Sequence, residues 1–128
     1  MKHFHQTPIT DAPSPVQLLS NARYAVVLNA AGSGYSTWRE FSVTRWHDDP
    51  VADNWGSYLL LRDEVSGELW SAGIQPFGHR ASDYKVSLSD AEVTIAQRVG
   101  SLTSTLDVAV AADRDIELRR ITVTNHGQ

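Results

Sequence analysis

Leu28-Asn29-Ala30-Ala31-Gly32-Ser33-Gly34-Tyr35-Ser36-Thr37-Trp38 joins two apolar segments through two glycines and several small polar residues. Glycine reaches backbone angles closed to other residues and lets another chain or a ligand come close. A hairpin turn alone would need only a short pair such as Asn-Gly. This stretch continues instead into Tyr35 and Trp38, which are large, flat and able to stack. It reads either as a turn followed by core aromatics or as a loop that admits a ligand beside them. Before it, Tyr24, Val26 and Leu28 alternate, with Ala25 and Val27 between, the pattern of a strand covered on both faces. After it, Phe41 and Val43 share one side of an extended run, and Glu40, Ser42 and Thr44 share the other. Trp38 and Trp46 fall on that second, polar side, one near each end.

Outward from this centre the chain keeps the two-residue period. Tyr84, Val86 and Leu88 alternate, as do Val93 and Ile95, and then Leu102, Leu106, Val108 and Val110 with Ser104 in the inward register. Ile116 and Leu118 share a face, but Ile121 and Val123 have the opposite parity. One extra residue near Arg119-Arg120 would restore the register, which predicts a β-bulge there. Residues 58–61 and Leu69-Trp70 flank a short polar stretch with Gly67, a hairpin signal. Residues 47–56 form a polar, acidic loop, and residues 71–82, with Gly73, Pro76 and Gly78, form another. Residues 1–20 carry Pro8, Pro13 and Pro15 and read as an arm or linker. Within it Ser14-Pro15 suits either the start of a short helix through Val16, Leu18 and Leu19 or a packed extended arm. Closely spaced strands with no long helical pattern predict an all-β fold, an antiparallel β-sandwich over residues 21–128.

A chain of 128 residues is enough for one domain with a real hydrophobic core. The net charge of −4 has its signs interspersed, so no clustered basic face points to nucleic acid or an anionic membrane. The absence of cysteine excludes thiol catalysis, disulfides and cysteine-ligated zinc. No apolar run approaches the roughly 20 residues of a membrane helix. The start, Met1-Lys2-His3-Phe4-His5-Gln6, lacks the apolar core of a signal peptide.

The catalytic templates fail in turn. Gly32-Ser33-Gly34 lacks the outer spacing of a nucleophile elbow, and no helix follows it. Thr37 stands where a dinucleotide loop needs its third glycine, and Tyr35 where a phosphate loop needs lysine. His3, His5, His47, His79 and His126 show no metal-ligand spacing, and no cofactor is implied. Asp48, Asp49 and Asp53 have the chemistry of an acid–base or cation site, but a solvated acidic loop explains them as well. The aromatics are more informative. Tyr35, Trp38, Trp46, Trp55 and Trp70 are interleaved with Arg39, Arg45, Asp48, Asp53 and Asn54. An apolar floor with a few polar anchors suits a sugar ring, and aromatics also fill sandwich cores.

Seven segments together resemble one family: residues 16–21, 32–39, 43–46, 53–58, 61–63, 66–72 and 117–125. They are similar to the start of the phosphorylase-like region of cyclic β-1,2-glucan synthases, itself similar to the inverting glycoside phosphorylases acting on cellobiose and chitobiose. The resemblance covers the chain from about Val16, in order. It implies the N-terminal, galactose-mutarotase-like β-sandwich that precedes a catalytic (α/α)₆ barrel holding the carboxylate and the phosphate site. No catalytic residue is then expected in this chain, which would be inactive by itself. Its implied partners are the barrel and, through the parent enzyme, β-glucan oligosaccharide and phosphate. A cytoplasmic or inner-membrane-associated parent would set its location.

The family sandwich is longer than this chain, so the resemblance also implies a cut within the domain, an unpaired edge and self-association. It further implies packing on the barrel, dimer support and a loop lent to the rim of a sugar site. By position that loop is Ser33, Gly34, Tyr35, Ser36, Trp38 and Arg39, with Arg45, Trp46 and Trp55 next. A free-standing carbohydrate-binding module using Trp38, Trp46 and Trp55 is the alternative. An independent mutarotase-like enzyme lacks a paired histidine and carboxylate.

Overall fold

The computed structural model describes residues 15–46 and 54–128. The Pro8 and Pro13 arm, His3, His5, His47, Asp48, Asp49 and Asp53 lie outside the described residues. Two antiparallel four-stranded sheets face each other. The first runs β1 (Val16–Ser20), β2 (Tyr24–Asn29), β3 (Gly34–Trp38) and β4 (Phe41–Ser42), each paired to the next. A two-stranded hairpin, β5 (Leu60–Arg62) and β6 (Leu69–Ser71), follows. The second sheet contains β7 (Asp83–Leu88), β8 (Val93–Val99), β9 (Leu102–Val110) and β10 (Glu117–Asn125), again in chain order. Leu19, Val26 and Leu28 of the first sheet meet Tyr84, Val86, Val93, Ile95, Leu106 and Val108 of the second, forming one core. Burying apolar area at ~25 cal/mol per Å² is what holds the layers together. The antiparallel sandwich expected from the two-residue period is the observed fold.

One open alternative is decided and two local expectations are corrected. Residues 16–20 form a strand, not a helix, and the described residues contain no helix. Val16 pairs with Asn29 and Ser20 with Ala25, so β2 satisfies the backbone that a short helix would leave uncapped. Leu18 is exposed while Leu19 is buried, as alternation across a strand requires. This strand lies within the interval that the sequence assigns to the arm.

The extended run from Thr37 to Trp46 is broken by a tight hairpin. Trp38 pairs with Phe41 and Thr37 with Ser42, and Arg39 at φ 55° makes the turn. Trp38 and Trp46 therefore do not share a strand face.

No bulge interrupts β10. Its pairing with β9 is continuous from Glu117 opposite Val110 to Asn125 opposite Leu102. The change of parity has another cause. Ile116 and Leu118 are exposed, Glu117 and Arg119 share the other face of the strand and are largely shielded, and Ile121 and Val123, on that same face, are exposed as well.

The sheets are also joined by polar bonds. Asn21 accepts from the amides of Arg23 and Tyr24 through Oδ1, closing the β1–β2 turn, and its Nδ2 donates to Ala111 O and Arg114 O in the connection between β9 and β10. The Asn29 side chain accepts from the amides of Ala31 and Ser33, folding the glycine-bearing turn. That turn is covered: Ile74 and Gln75 donate their amides to Ala31 O, and the Tyr84 hydroxyl donates to Ala30 O at 2.6 Å. Burial raises the Tyr84 hydroxyl pKa well above the usual phenol range, which keeps the hydroxyl protonated as a donor at neutral pH.

Among the described residues, Ser104 Oγ is the buried side-chain polar atom without a hydrogen-bond partner, at 2% residue exposure. An unsatisfied buried hydroxyl is a net cost. Ser104→Ala is expected to raise stability by about 1 kcal/mol, read as a higher midpoint in urea unfolding at unchanged slope.

Candidate functional site

Alternation along β3 divides the candidate residues between two faces. Tyr35 and Thr37 point away from the core, and Ser36 and Trp38 toward the opposite sheet. On the outer face, Ser36 O accepts from the amides of Val43 and Thr44, and the Ser36 amide donates to Thr44 Oγ1 at 2.8 Å. These bonds fold the chain after β4 back over β3 and bring Trp46 against Tyr35. Their ring centroids lie 5.1 Å apart at 50°, inside the range in which aromatic pairs attract.

The opposite wall is Trp55, whose carbonyl accepts from the Gly34 amide at 2.9 Å. Tyr35, Thr37, Thr44, Arg45, Trp46 and Trp55 line an open cleft of about 510 Å³. That volume falls in the ordinary range of small-molecule pockets. Three ring systems, hydroxyls and one guanidinium supply apolar faces and hydrogen-bond donors, the mix that holds a sugar.

Gly34 and Ser33 serve the backbone. A Cβ on Gly34 would stand 1.9 Å from Val27 O, so only glycine lets β3 pass β2 here. Ser33 is 2% exposed, with its Oγ 3.1 Å from the Tyr58 hydroxyl. Trp38 and Arg39 sit elsewhere. The Trp38 indole donates to Asp115 Oδ2 at 2.7 Å, Phe41 stacks on it at 22°, and the Arg39 guanidinium lies 5.0 Å from its ring. The Trp38 bond, with the Arg23 ion pair at 2.7 Å, holds the Asp115 carboxyl below the usual carboxylate range. Of the nine residues, the structure brings Tyr35, Arg45, Trp46 and Trp55 together on one cleft.

Ser36 faces a cluster that sequence reasoning missed. Its hydroxyl donates to Glu117 Oε2 at 2.6 Å, and the Tyr24 hydroxyl donates to the same oxygen at 3.2 Å. Arg119 Nε donates to Glu117 Oε1, while its Nη1 donates to Ser57 O at 2.8 Å. The two charged side chains are 14% and 18% exposed. Burial alone would raise the Glu117 pKa, but the Ser36 bond, the Arg119 charge and bond, and the Tyr24 bond outweigh it and hold it below the usual range. Burial and the Glu117 charge in turn push the Tyr24 hydroxyl up. The available signal was the parity change on β10, two charged residues at inward positions.

Among the described residues, neither the cleft nor this cluster pairs a carboxylate with a second acid or a histidine. Among the described residues no group of His, Asp and Glu is arranged to hold a metal ion.

The comparisons with known proteins agree with this architecture. A family model described as "Glycosyl hydrolase 94, supersandwich domain" matches residues 2–128. The cyclic β-(1,2)-glucan synthase NdvB of Rhizobium meliloti is 41% identical over 110 residues, which is 86% of this chain and 4% of that protein. The N,N'-diacetylchitobiose phosphorylase of Vibrio furnissii is 30% identical over 77 residues, 57% of this chain and 10% of the relative. That of Vibrio proteolyticus is 33% identical over 70 residues, covering 52% and 9% respectively. The chain thus spans a small part of the length of each relative.

Proposed function

Because the chain belongs to the glycosyl hydrolase 94 supersandwich domain family, we propose that it is a non-catalytic β-sandwich part of a glycoside phosphorylase or cyclic β-glucan synthase. Its work is packing on a catalytic (α/α)₆ barrel and lending a rim to the sugar site. The observation that carries the sugar-facing part is the cleft in which Tyr35, Arg45, Trp46 and Trp55 converge. The parent would act on β-glucan oligosaccharide with phosphate. Location follows the parent, in the cytoplasm or at the inner membrane.

The test is titration with β-1,2-linked gluco-oligosaccharides followed by tryptophan fluorescence. Saturable binding is expected, weakened about tenfold or more by Trp55→Ala, in line with the loss of one base-like stacking partner or hot-spot ring. Trp38→Ala should leave binding unchanged, because its indole is held on the other face by Asp115. No glucose 1-phosphate should form from β-1,2-glucan and phosphate. Production of that sugar phosphate by this chain would refute the non-catalytic reading.

A second reading, a free-standing carbohydrate-binding module, is favoured by the three ring systems of Tyr35, Trp46 and Trp55 on one cleft.

Self-association through β10 belongs to the same proposal. Leu118, Ile121 and Val123 are exposed on a nine-residue strand that, among the described residues, pairs only with β9, the kind of edge that recruits another strand. Light scattering should show a mass above that of one chain, and a clean monomer at high concentration would count against it.

A further inference from the structure

We propose that Glu117 and Arg119 of β10 are positioning residues that set the spacing of the two walls of the aromatic cleft from the opposite sheet. Neither residue lines the side of the cleft where Tyr35, Trp46 and Trp55 meet. Each wall nonetheless hangs on their bonds. Arg119 Nη1 donates to Ser57 O at 2.8 Å, two residues beyond Trp55. Ser36 donates its hydroxyl to Glu117 at 2.6 Å, and its own backbone carries the returning segment through Val43 and Thr44 to Trp46. The carboxylate and the guanidinium are bonded to each other, so the Trp46 wall and the Trp55 wall are fixed to one ion pair.

The geometry of the pair suits this use. Arginine is a planar fork whose donors point to two acceptors at once, here Glu117 Oε1 and Ser57 O. Glutamate has two oxygens, one for Arg119 and one shared by Ser36 and Tyr24. Both side chains are mostly shielded from water, so the attraction is screened less than on the surface. The Trp55 wall is otherwise tied by its carbonyl to Gly34 N at 2.9 Å and by the Tyr58 hydroxyl near Ser33 Oγ. Loss of the Arg119 arm leaves that segment on fewer bonds. The purpose of the pair rests on the sugar-facing reading of the cleft, whereas the positioning itself does not.

The test uses the whole chain labelled with 15N and with 5-fluorotryptophan, without any sugar. Arg119→Lys keeps the charge but loses the fork. Its Gly34 amide, the donor to Trp55, should exchange about tenfold faster, the scale of one weakened hydrogen bond. The Trp55 fluorine signal should shift, while the amides of Val93 and Ile95 in the core keep their protection. Glu117→Gln keeps the length and the acceptor and should move the same signals, including that of Trp46. Unchanged Gly34 exchange and unchanged Trp55 and Trp46 signals in folded variants would overturn the proposal. A change at Gly34 no larger than the drop in overall stability of each variant, measured by urea unfolding, would also overturn it, since the pair would then hold the whole fold and not the cleft in particular. Sugar titration of the same samples is read separately. Shifted tryptophan signals with no sugar binding would sink only the sugar-facing reading.

Discussion

Gly34→Ala is expected to lower stability by about 3 kcal/mol or more, the upper range for forcing a methyl into a filled site. A Cβ there would lie 1.9 Å from Val27 O and 2.9 Å from Val27 C. Both obstacles are main chain of the neighbouring strand, so no side-chain rotation relieves them. β2 and β3 would have to separate where Gly34 pairs with Leu28. The Gly34 amide that holds Trp55 O would move with them, so the cleft would open as the fold weakened. Gly67→Ala is the control. Its φ of +76° costs any L-residue about 1–2 kcal/mol, yet nothing lies within 4 Å of the added carbon. Thermal unfolding by circular dichroism should show Gly34→Ala falling by about 10 °C or more and Gly67→Ala by clearly less. The reverse order would contradict the packing described for β2 and β3.

Glu117→Ala should cost about 3 kcal/mol at neutral pH, the scale for stranding one partner of a shielded ion pair. The Arg119 side chain, 18% exposed, would lose its carboxylate, and Ser36 and Tyr24 would lose their acceptor. Glu117→Leu combined with Arg119→Met should recover much of the loss, because replacing both charges leaves neither stranded. The pH dependence has a definite sign. The folded pKa of Glu117 lies below its unfolded value, so its contribution is fully present above the unfolded pKa of about 4.3. It fades as pH falls through the folded pKa, because protonation favours the unfolded chain. Denaturation curves of the wild type and Glu117→Gln should therefore converge as the pH drops below about 4. A gap that stays constant down to pH 3 would show that the charge of Glu117 does not contribute.

The sandwich itself was legible because its strands are amphipathic. Val93 and Ile95, and Leu106 and Val108, sit in the core as the two-residue period requires. The hairpin over β5 and β6 was legible from Gly67, which adopts the positive φ that such a turn needs. Other features depend on partners distant in the chain. Whether Val16, Leu18 and Leu19 coil or extend is decided by β2 lying alongside them. The turn at Arg39 was hidden because no glycine marks it. At Glu117 and Arg119 the apolar alternation fails for a reason that local pattern cannot express. Their neighbours are Ser36, Tyr24 and Ser57, between 60 and 93 positions away, and they satisfy charges that would otherwise be expelled from the interior. Of the candidate site, residue types and approximate position were readable. The division of β3 into a cleft-facing Tyr35 and an inward Ser36 and Trp38 needed the register.

In both four-stranded sheets each strand is hydrogen-bonded to its immediate successor. Every ladder is therefore closed by a short local connection, which carries a small entropic cost. Residues 16–42 and residues 83–125 can each zip into a sheet without waiting for the other. The bonds from Ser36 and Tyr24 to Glu117 join the two leaves. Leaves packed out of this alignment would leave that carboxylate shielded and without its donors, a cost that favours the native alignment.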